Sequence, residues 1–389
     1  MNADIIIIGG GIVGLTVAKG LLEQTDFSVA IIDNKLDVNA KRPVDFDARV
    51  IALARRSVDE LTRWGVSLPE SVPIKQIEVT DKGAAGYCEL NAEKFGLAAF
   101  GDVVALQRLG EVLYSSVKNS RIQRVSATVT DIVTTQDGHQ LVLEDQAPLN
   151  GKLVILADGG RSSVSTALGY HYQETSYRQT AIIFNVKMSQ THQNMAFERF
   201  TATGPLAFLP FTSSSQNDSQ HEYSVVWTLA QEQADHLLNL SDSQFIAQLQ
   251  KAFGYRKGRI LTVGKKDAFP LALRQADTLR RHRSVVVGNA AQTLHPIAGQ
   301  GFNLGVRDAV ALVNAIKSVP DPGQFDALHA YQTARKADRL TTIGLTDSLV
   351  TLFSNQLRPL QAARNLGLLS MHASHVLQSH FVRQTTGLN

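Results

Sequence analysis

The sequence has one cysteine, Cys88, in 389 residues. A single thiol excludes an internal disulfide and any cysteine-built metal cluster; it fits a reducing cytoplasm, and Cys88 itself reads as a small filler side chain. Long apolar runs are missing as well: no segment approaches the ~18 uninterrupted apolar residues of a membrane-spanning helix. The first apolar run, Ile5 to Ile8, has no basic segment before it and is ended by glycines, so it reads as a strand rather than a signal peptide. Charge of one sign is also scarce. The 38 Lys and Arg against 35 Asp and Glu leave a formal charge of +3 with no polybasic tract, which excludes nucleic acid as a partner. There is no internal repeat and no low-complexity tract. What remains is a globular chain, 44% hydrophobic, long enough for a large core and of a size that suggests two closely joined domains.

Glycines at particular places carry the information. The chain opens with Ile5–Ile8, then Gly9-Gly10-Gly11-Ile12-Val13-Gly14, then an amphipathic stretch from Leu15 to Leu22: strand, tight turn, helix. Gly9 permits the turn, Gly11 admits a pyrophosphate next to the backbone, and Gly14 lets the helix pack on the strand with its N-terminus facing the anion. A second strand, Ser28 to Ile32, ends in Asp33, at the spacing where an acid binds a ribose 2′-hydroxyl. Turn, context and acid together predict a dinucleotide site. No second Gly-x-Gly-x-x-Gly follows, so one nucleotide domain is expected.

A further strand-to-helix signal begins at Arg283–Val287, a β-branched run that reads as a strand covered on both faces. It leads into Gly288-Asn289 and then Leu294-His295-Pro296-Ile297-Ala298-Gly299-Gln300-Gly301-Phe302-Asn303-Leu304-Gly305. Gly299, Gly301 and Gly305 let backbone and helix approach a flat ligand closely, which suits a flavin. A helix turn at Gly301-Phe302-Asn303 would aim its N–H groups and positive dipole end at the flavin edge that becomes anionic on reduction.

Between these signals the elements run βαβ, then mostly β, then α. Gln107–Lys118 has helical periodicity; Ile122–Thr134, Gln140–Glu144 and Lys152–Ala157 read as strands, the last ending in Asp158-Gly159. Strands are expected at Ala181–Met188, Met195–Thr201, Pro205–Phe211 and Glu222–Leu229, with a polar loop at Ser213–Gln220, a helix at Asp242–Phe253, and helices from Leu304 through about Val382. Period-2 alternation puts Phe197 and Arg199 on one face of their strand and Glu198 and Phe200 on the other.

The combination of Gly9-x-Gly11-x-x-Gly14, Ala157-Asp158-Gly159 and Gly288-Asn289-Ala290-Ala291…Pro296…Gly299-Gln300-Gly301-x-Asn303-x-Gly305 resembles the flavoprotein aromatic hydroxylases that use one FAD and external NAD(P)H. Asp47-Ala48-Arg49-Val50-Ile51-Ala52-Leu53, Ala196-Phe197-Glu198-Arg199-Phe200, Gly204-Pro205-Leu206-Ala207 and Thr346-Asp347-Ser348-Leu349-Val350 are similar to the ubiquinone-biosynthesis members of that group. The resemblance spans essentially the full chain. It implies a mixed α/β (α+β) fold: a Rossmann-like FAD-binding domain of the para-hydroxybenzoate hydroxylase type, an antiparallel-sheet substrate domain, and C-terminal helices. The first part of the FAD domain is expected at 1–175, with inserted strands and a helix around 66–106, the substrate sheet at 176–282, and the returning FAD domain with C-terminal helices at 283–389.

The implied activity is an O2- and NAD(P)H-dependent monooxygenase that hydroxylates a polyprenylated phenol, 2-polyprenyl-6-methoxyphenol, to a 1,4-benzoquinol. The hydride donor is expected to meet a transiently exposed flavin. Cofactor contacts are expected from Gly9, Gly11, Gly14, Asp33, Arg49, Gln107, Asp158, Gly159, Gly288, Asn289, Gly299, Gly301, Phe302 and Asn303, Gln107 because it matches the family position that contacts FAD. Arg49 has an alternative, a surface ion pair with Asp45 or Asp47. Pro296 is expected in the wall at the oxygen-reacting face; His295 either assists deprotonation of the phenol or orients the loop. No metal is expected. Two departures stand out: the wider family carries Gly-Asp where this chain has Gly288-Asn289, although an amide oxygen still accepts from ribityl hydroxyls, and Ser165 stands where the Asp158-Gly159 motif usually ends in arginine, removing an implied NAD(P)H contact.

Phe197, Phe208, Phe211 and Trp227 are candidates for an apolar substrate lining. The C-terminal stretches Leu349–Phe353 and Leu366–Met371, near Arg358, Arg364 and His372, either pack on the core or meet a membrane surface or other ubiquinone-biosynthesis enzymes. A cytoplasmic location follows, whether peripheral to the inner membrane or within a multi-enzyme complex. The resemblance also leaves open another ring position of the same pathway, and the same FAD motifs suit a flavin-dependent reductase acting on a prenylated substrate, or a flavin-containing scaffold. A halogenase is set aside for want of a Trp-x-Trp-x-Ile-Pro motif.

Overall fold

Ile5, Ile6 and Ile7 are fully buried, so their strand must be covered on both faces, and the rest of the first sheet grows around it. The computed structural model describes residues 2–34, 47–118, 120–160, 162–213, 220–353 and 358–387. Strand β1 (Asn2–Ile8) lies between Gln146–Leu156 and β2 (Val29–Ile32), parallel to both. Ser284–Val286 extends the parallel set beyond Gln146–Leu156, and Gln123–Val125 extends it beyond β2. Helix α1 (Ile12–Gln24) connects β1 to β2 and packs on the helix Gln300–Ile316. The first and last parts of the chain thus share one core.

The second sheet has nine strands. Its order runs from Gln292–Thr293 through Asp267–Ala276, Tyr172–Met188, Glu222–Ala230, Gly204–Pro210 and Met195–Thr201 to Gln76–Asp81 and Tyr87–Asn91. All pairings in that path are antiparallel except Met195–Thr201 with Gln76–Asp81. One face buries Phe184, Phe208 and Trp227 against the helices Gln231–Leu238 and Asp242–Phe253. The other face turns toward β3 (Val50–Ala54) and the C-terminal helices.

The strand Met195–Thr201 and the helix Asp242–Phe253 have the bounds expected from sequence; the latter starts with a Ser241/Gln244 capping box. The strand expected from Ala181 starts earlier, at Tyr172, and runs to Met188. The expected strand Ile122–Thr134 is two strands, because Gln123–Val125 pairs with β2 in parallel while Val129–Thr134 pairs antiparallel with His139–Leu143. Residues 214–219 of the expected polar loop, and Asp45, lie outside the described residues. Helices Gln300–Ile316, Phe325–Phe353, Arg358–Ala373 and His375–Thr386 complete the chain, and no described helix is long and apolar enough to cross a membrane. Cys88 is fully buried, and burial pushes its thiol up to about 11, as suits a filler side chain.

Candidate active site

A cavity of about 850 Å³ lies between the two main sheets, within the range of small-molecule sites. Two helix N-termini open onto it. Helix α1 starts at Gly11 and the helix Gln300–Ile316 starts at Gly299; neither has a side-chain cap or an acidic residue in its first turn. Their first N–H groups are therefore left for an external acceptor, as anion-binding helix ends require.

The glycines divide into two kinds. A Cβ on Gly9 would lie 2.7 Å from the Ala157 carbonyl and the Asp158 nitrogen, and one on Gly14 would lie 1.9 Å from the Gly9 oxygen. These residues are glycine because protein packs against them. Gly11 and Gly301 differ: both line the cavity, and a Cβ on either would meet nothing within 4 Å. Open space beside two uncapped helix ends is the cradle a dinucleotide needs, so the residues present fit FAD.

Of the residues expected at the cofactor, Gly11, Arg49, Asp158, Gly159, Asn289, Gly299, Gly301, Phe302 and Asn303 line the cavity, as do His295 and Pro296. Gly9, Gly14, Asp33, Gln107 and Gly288 are absent from its lining. Asp33 accepts the Gly10 N–H at 2.7 Å and so holds the glycine turn. Gln107 donates to Glu111 on its own helix, and Leu106 is the residue there that borders the cavity. Gly288 has φ +59 and backs onto Val13 behind the wall.

Several lining side chains are occupied by the protein itself. Asn303 accepts from the Ala54 N–H at 2.8 Å and donates to the Ala52 and Gly299 carbonyls at 3.0 and 2.9 Å, pinning the helix start to β3. Its role is to position the backbone beside it. The Asp158 carboxylate accepts from Gly160 and Ser162 N–H groups and shapes its own turn. Arg49 sits over the Phe269 ring at 5.5 Å, while Asp47 accepts from the Lys265 N–H. Asn289, by contrast, is exposed at the cavity wall.

His295 is buried, with its ring edge-on to Tyr177 at 5.3 Å. Its Nδ1 accepts the Ile297 N–H at 3.2 Å, which fixes the turn after Pro296 and places the proton of the neutral ring on Nε2. Burial pushes its pKa down to about 4, so the ring is neutral at ordinary pH and Nε2–H is a donor with no partner among the described residues. Among the aromatic candidates, Phe197 borders the cavity wall but packs its ring on Phe253, in the same core behind the sheet as Phe208 and Trp227, and Phe211 is buried outside the lining.

Sequence reasoning did not single out Asp308 and Arg335. Asp308 is fully buried, accepts from the Gly288 N–H and the Gln292 amide at 3.0 Å each, and pairs with Arg335 Nε at 2.6 Å. An acid inside the apolar stripe of a helix is the signal that could have found it.

The comparisons agree with this geometry. A family profile described as an FAD binding domain matches residues 2–341. The chain is 32% identical to "Ubiquinone hydroxylase UbiL" of Rhodospirillum rubrum, covering 99% of this chain and 90% of that protein. It is 29% identical to the "3-demethoxyubiquinol 3-hydroxylase" of Escherichia coli, over 99% and 98% of the two chains. Identity to the Homo sapiens "Ubiquinone biosynthesis monooxygenase COQ6, mitochondrial" is 24%, over 97% and 91%. Among solved structures, p-nitrophenol 4-monooxygenase PnpA from Pseudomonas putida matches with a TM-score of 0.78 over 98% of both chains at 17% identity, which shows a shared fold. The chain belongs to the FAD-dependent aromatic hydroxylases, in their ubiquinone-biosynthesis family.

Proposed function

We propose that this monooxygenase hydroxylates 2-polyprenyl-6-methoxyphenol para to its hydroxyl, the activity of a 2-octaprenyl-6-methoxyphenol hydroxylase. The observation that carries the reading is the shape of the cavity. From the two helix N-termini it continues to the C-terminal helices, where Leu352, Gly367, Leu368, Met371, Phe381 and Val382 line it. A ring-sized ligand does not need that apolar extension; a ring with an isoprenoid tail does. Arg364 borders this region as well, but its charge is paired with Asp81 at 3.1 Å, both side chains buried.

When bound, FAD supplies the redox chemistry: it takes two electrons from NAD(P)H and activates O2. Gly11 and the start of α1 would hold its pyrophosphate, Arg49 would border it, and the backbone at Gly299–Phe302 would face the flavin edge. Asn289 would meet its ribityl hydroxyls. Pro296 and Ile297 would wall the ring site against water. Leu366, Leu369, Val376 and Leu377 are exposed on the C-terminal helices, which supports delivery of the tail from a membrane surface or a pathway partner. Co-flotation of the protein with liposomes would measure that contact.

The test is NAD(P)H oxidation and O2 uptake by the FAD-loaded protein with a short-tailed 2-prenyl-6-methoxyphenol, with product followed by mass. Stimulated uptake with gain of one oxygen atom is the expected result, and the product's substitution pattern reads the ring position. Reduction of substrate without O2 uptake would favour a reductase instead. His295→Ala should keep FAD but lower kcat by about tenfold, because the Ile297 N–H is left without its acceptor and the Pro296 turn loosens, a cost of about 1–3 kcal/mol. The shape of its pH profile should match the parent's, since the ring is already neutral above about pH 4; a lost pH limb would return His295 to the role of base.

A further inference from the structure

We infer that Glu198 is the substrate-facing base of this site, its carboxylate accepting the proton of the substrate's ring hydroxyl. The inference rests on the phenol reading above and adds the residue that handles the phenol. Glu198 lies in the middle of the strand Met195–Thr201, whose alternation sends Ala196, Glu198 and Phe200 to the cavity. Arg199 is turned the other way, donating to the Ala252 carbonyl and to Thr80. Across the sheet Glu198 sits between Val79 and Ala207; Ala207 pairs with Val226, and Val226 with Ile183. All of these line the cavity, so the carboxyl stands alone in an apolar row. Its neighbours Ala196 and Phe200 belong to the same apolar cluster as Ile297, which places this row against the His295–Pro296 turn.

Glu198 is half-buried in the cavity wall; its Oε1 is shut off from solvent and has no hydrogen-bond partner among the described residues. Thr228 Oγ1, in the wall of the same cavity, is also unpartnered among the described residues. Nothing among the described residues compensates a carboxyl in such a place, and buried polar groups are normally satisfied, so a ligand that donates to it is the missing partner. The other charged groups of the cavity are engaged: Arg364 with Asp81, Arg49 over Phe269, and Asp158 with two N–H groups, while His295 is neutral. None neutralises Glu198, and burial alone pushes it up to about 7. An acid poised near neutrality is suited to proton transfer.

In the step, the O–H bond of the ring hydroxyl breaks, its electron pair stays on the ring oxygen, and the proton moves to the carboxylate. The phenolate oxygen then feeds electron density to the para carbon that receives the oxygen atom. As the product regains aromaticity the para carbon releases its proton to solvent, and the Glu198 carboxylic acid returns its proton to the ring oxygen.

The experiment compares the FAD-loaded parent with Glu198→Gln and Glu198→Asp. In the parent, kcat for the short-tailed phenol should rise as pH passes about 7. In Glu198→Gln it should fall roughly 10²-fold and lose that limb, with FAD content unchanged, while Glu198→Asp should restore the limb at reduced kcat. A second readout does not depend on turnover: 4-nitrophenol bound to the holoenzyme, followed by difference absorbance, should be phenolate in the parent above neutral pH and phenol in Glu198→Gln. Equal kcat, pH profile and probe ionisation in parent and Glu198→Gln would overturn the assignment while leaving the hydroxylase reading intact. A parent that fails to hydroxylate the phenol would instead overturn the substrate reading, and the 4-nitrophenol spectra would still decide Glu198.

Discussion

Gly11→Val is expected to give a folded protein that purifies without FAD, whereas Gly14→Val is expected to destabilise the protein itself. The two glycines lie in one turn and differ in what surrounds them. At Gly11 the backbone has φ −70 and ψ 179, which any residue adopts, and a Cβ would meet nothing within 4 Å. Folding should therefore cost under about 1 kcal/mol. The branched side chain would occupy the space beside the first N–H groups of α1, where the pyrophosphate belongs, and FAD affinity should fall at least about 100-fold, or ~3 kcal/mol. At Gly14 a Cβ would sit 1.9 Å from the Gly9 oxygen and 3.4 Å from the Ala157 Cβ, so α1 has to move away from the sheet. That overpacking should cost about 3 kcal/mol or more. Flavin content after gel filtration, read beside a thermal melt of each apoprotein, separates the outcomes. A Gly11→Val protein that keeps its FAD would place the pyrophosphate elsewhere.

The elements legible in the sequence were those whose signal is local. The turn at Gly9–Gly14 and the strand before it announce themselves within a dozen or so residues, and Met195–Thr201 stands out as a short β-prone run ahead of Gly204. Asp267–Ala276 escaped, since most of its residues are exposed or half-buried and no alternation marks it. It is a strand because Tyr172–Met188 pairs along its length. The same distinction holds in the site. Glycines that face a ligand and glycines that face protein look alike in a motif, and only the packing at Ala157 and Val13 tells Gly9 and Gly288 from Gly11. Asn303 was legible as important but not in its role, because the groups it holds, Ala52 and Ala54, lie about 250 residues away in the chain. Glu198 could be placed on a face of its strand; that this face meets a cavity needed the whole sheet.

Asp308→Ala should be the most damaging change away from the cavity, lowering stability by about 3–5 kcal/mol. Asp308 joins three segments: its own helix, the Gly288–Gln292 loop that carries Asn289, and the helix Phe325–Phe353 through Arg335. Burial alone would lower the Arg335 pKa, but the Asp308 and Asp338 carboxylates outweigh it and raise the pKa overall, so the guanidinium stays charged. Removing Asp308 leaves that buried charge short of a partner and orphans the Gly288 N–H and the Gln292 amide. For a chain of this length the melting temperature should fall by about 5 °C. Asp308→Leu with Arg335→Met removes both charges and should recover much of the loss, as replacing a buried pair by apolar groups often does. Its FAD affinity should nonetheless remain low, because the loop bearing Asn289 is still without the acceptor that fixed Gly288. Restored melting with restored FAD binding would mean that Asp308 only neutralises Arg335. Restored melting with weak FAD binding would show that this carboxylate sets the backbone of the flavin site.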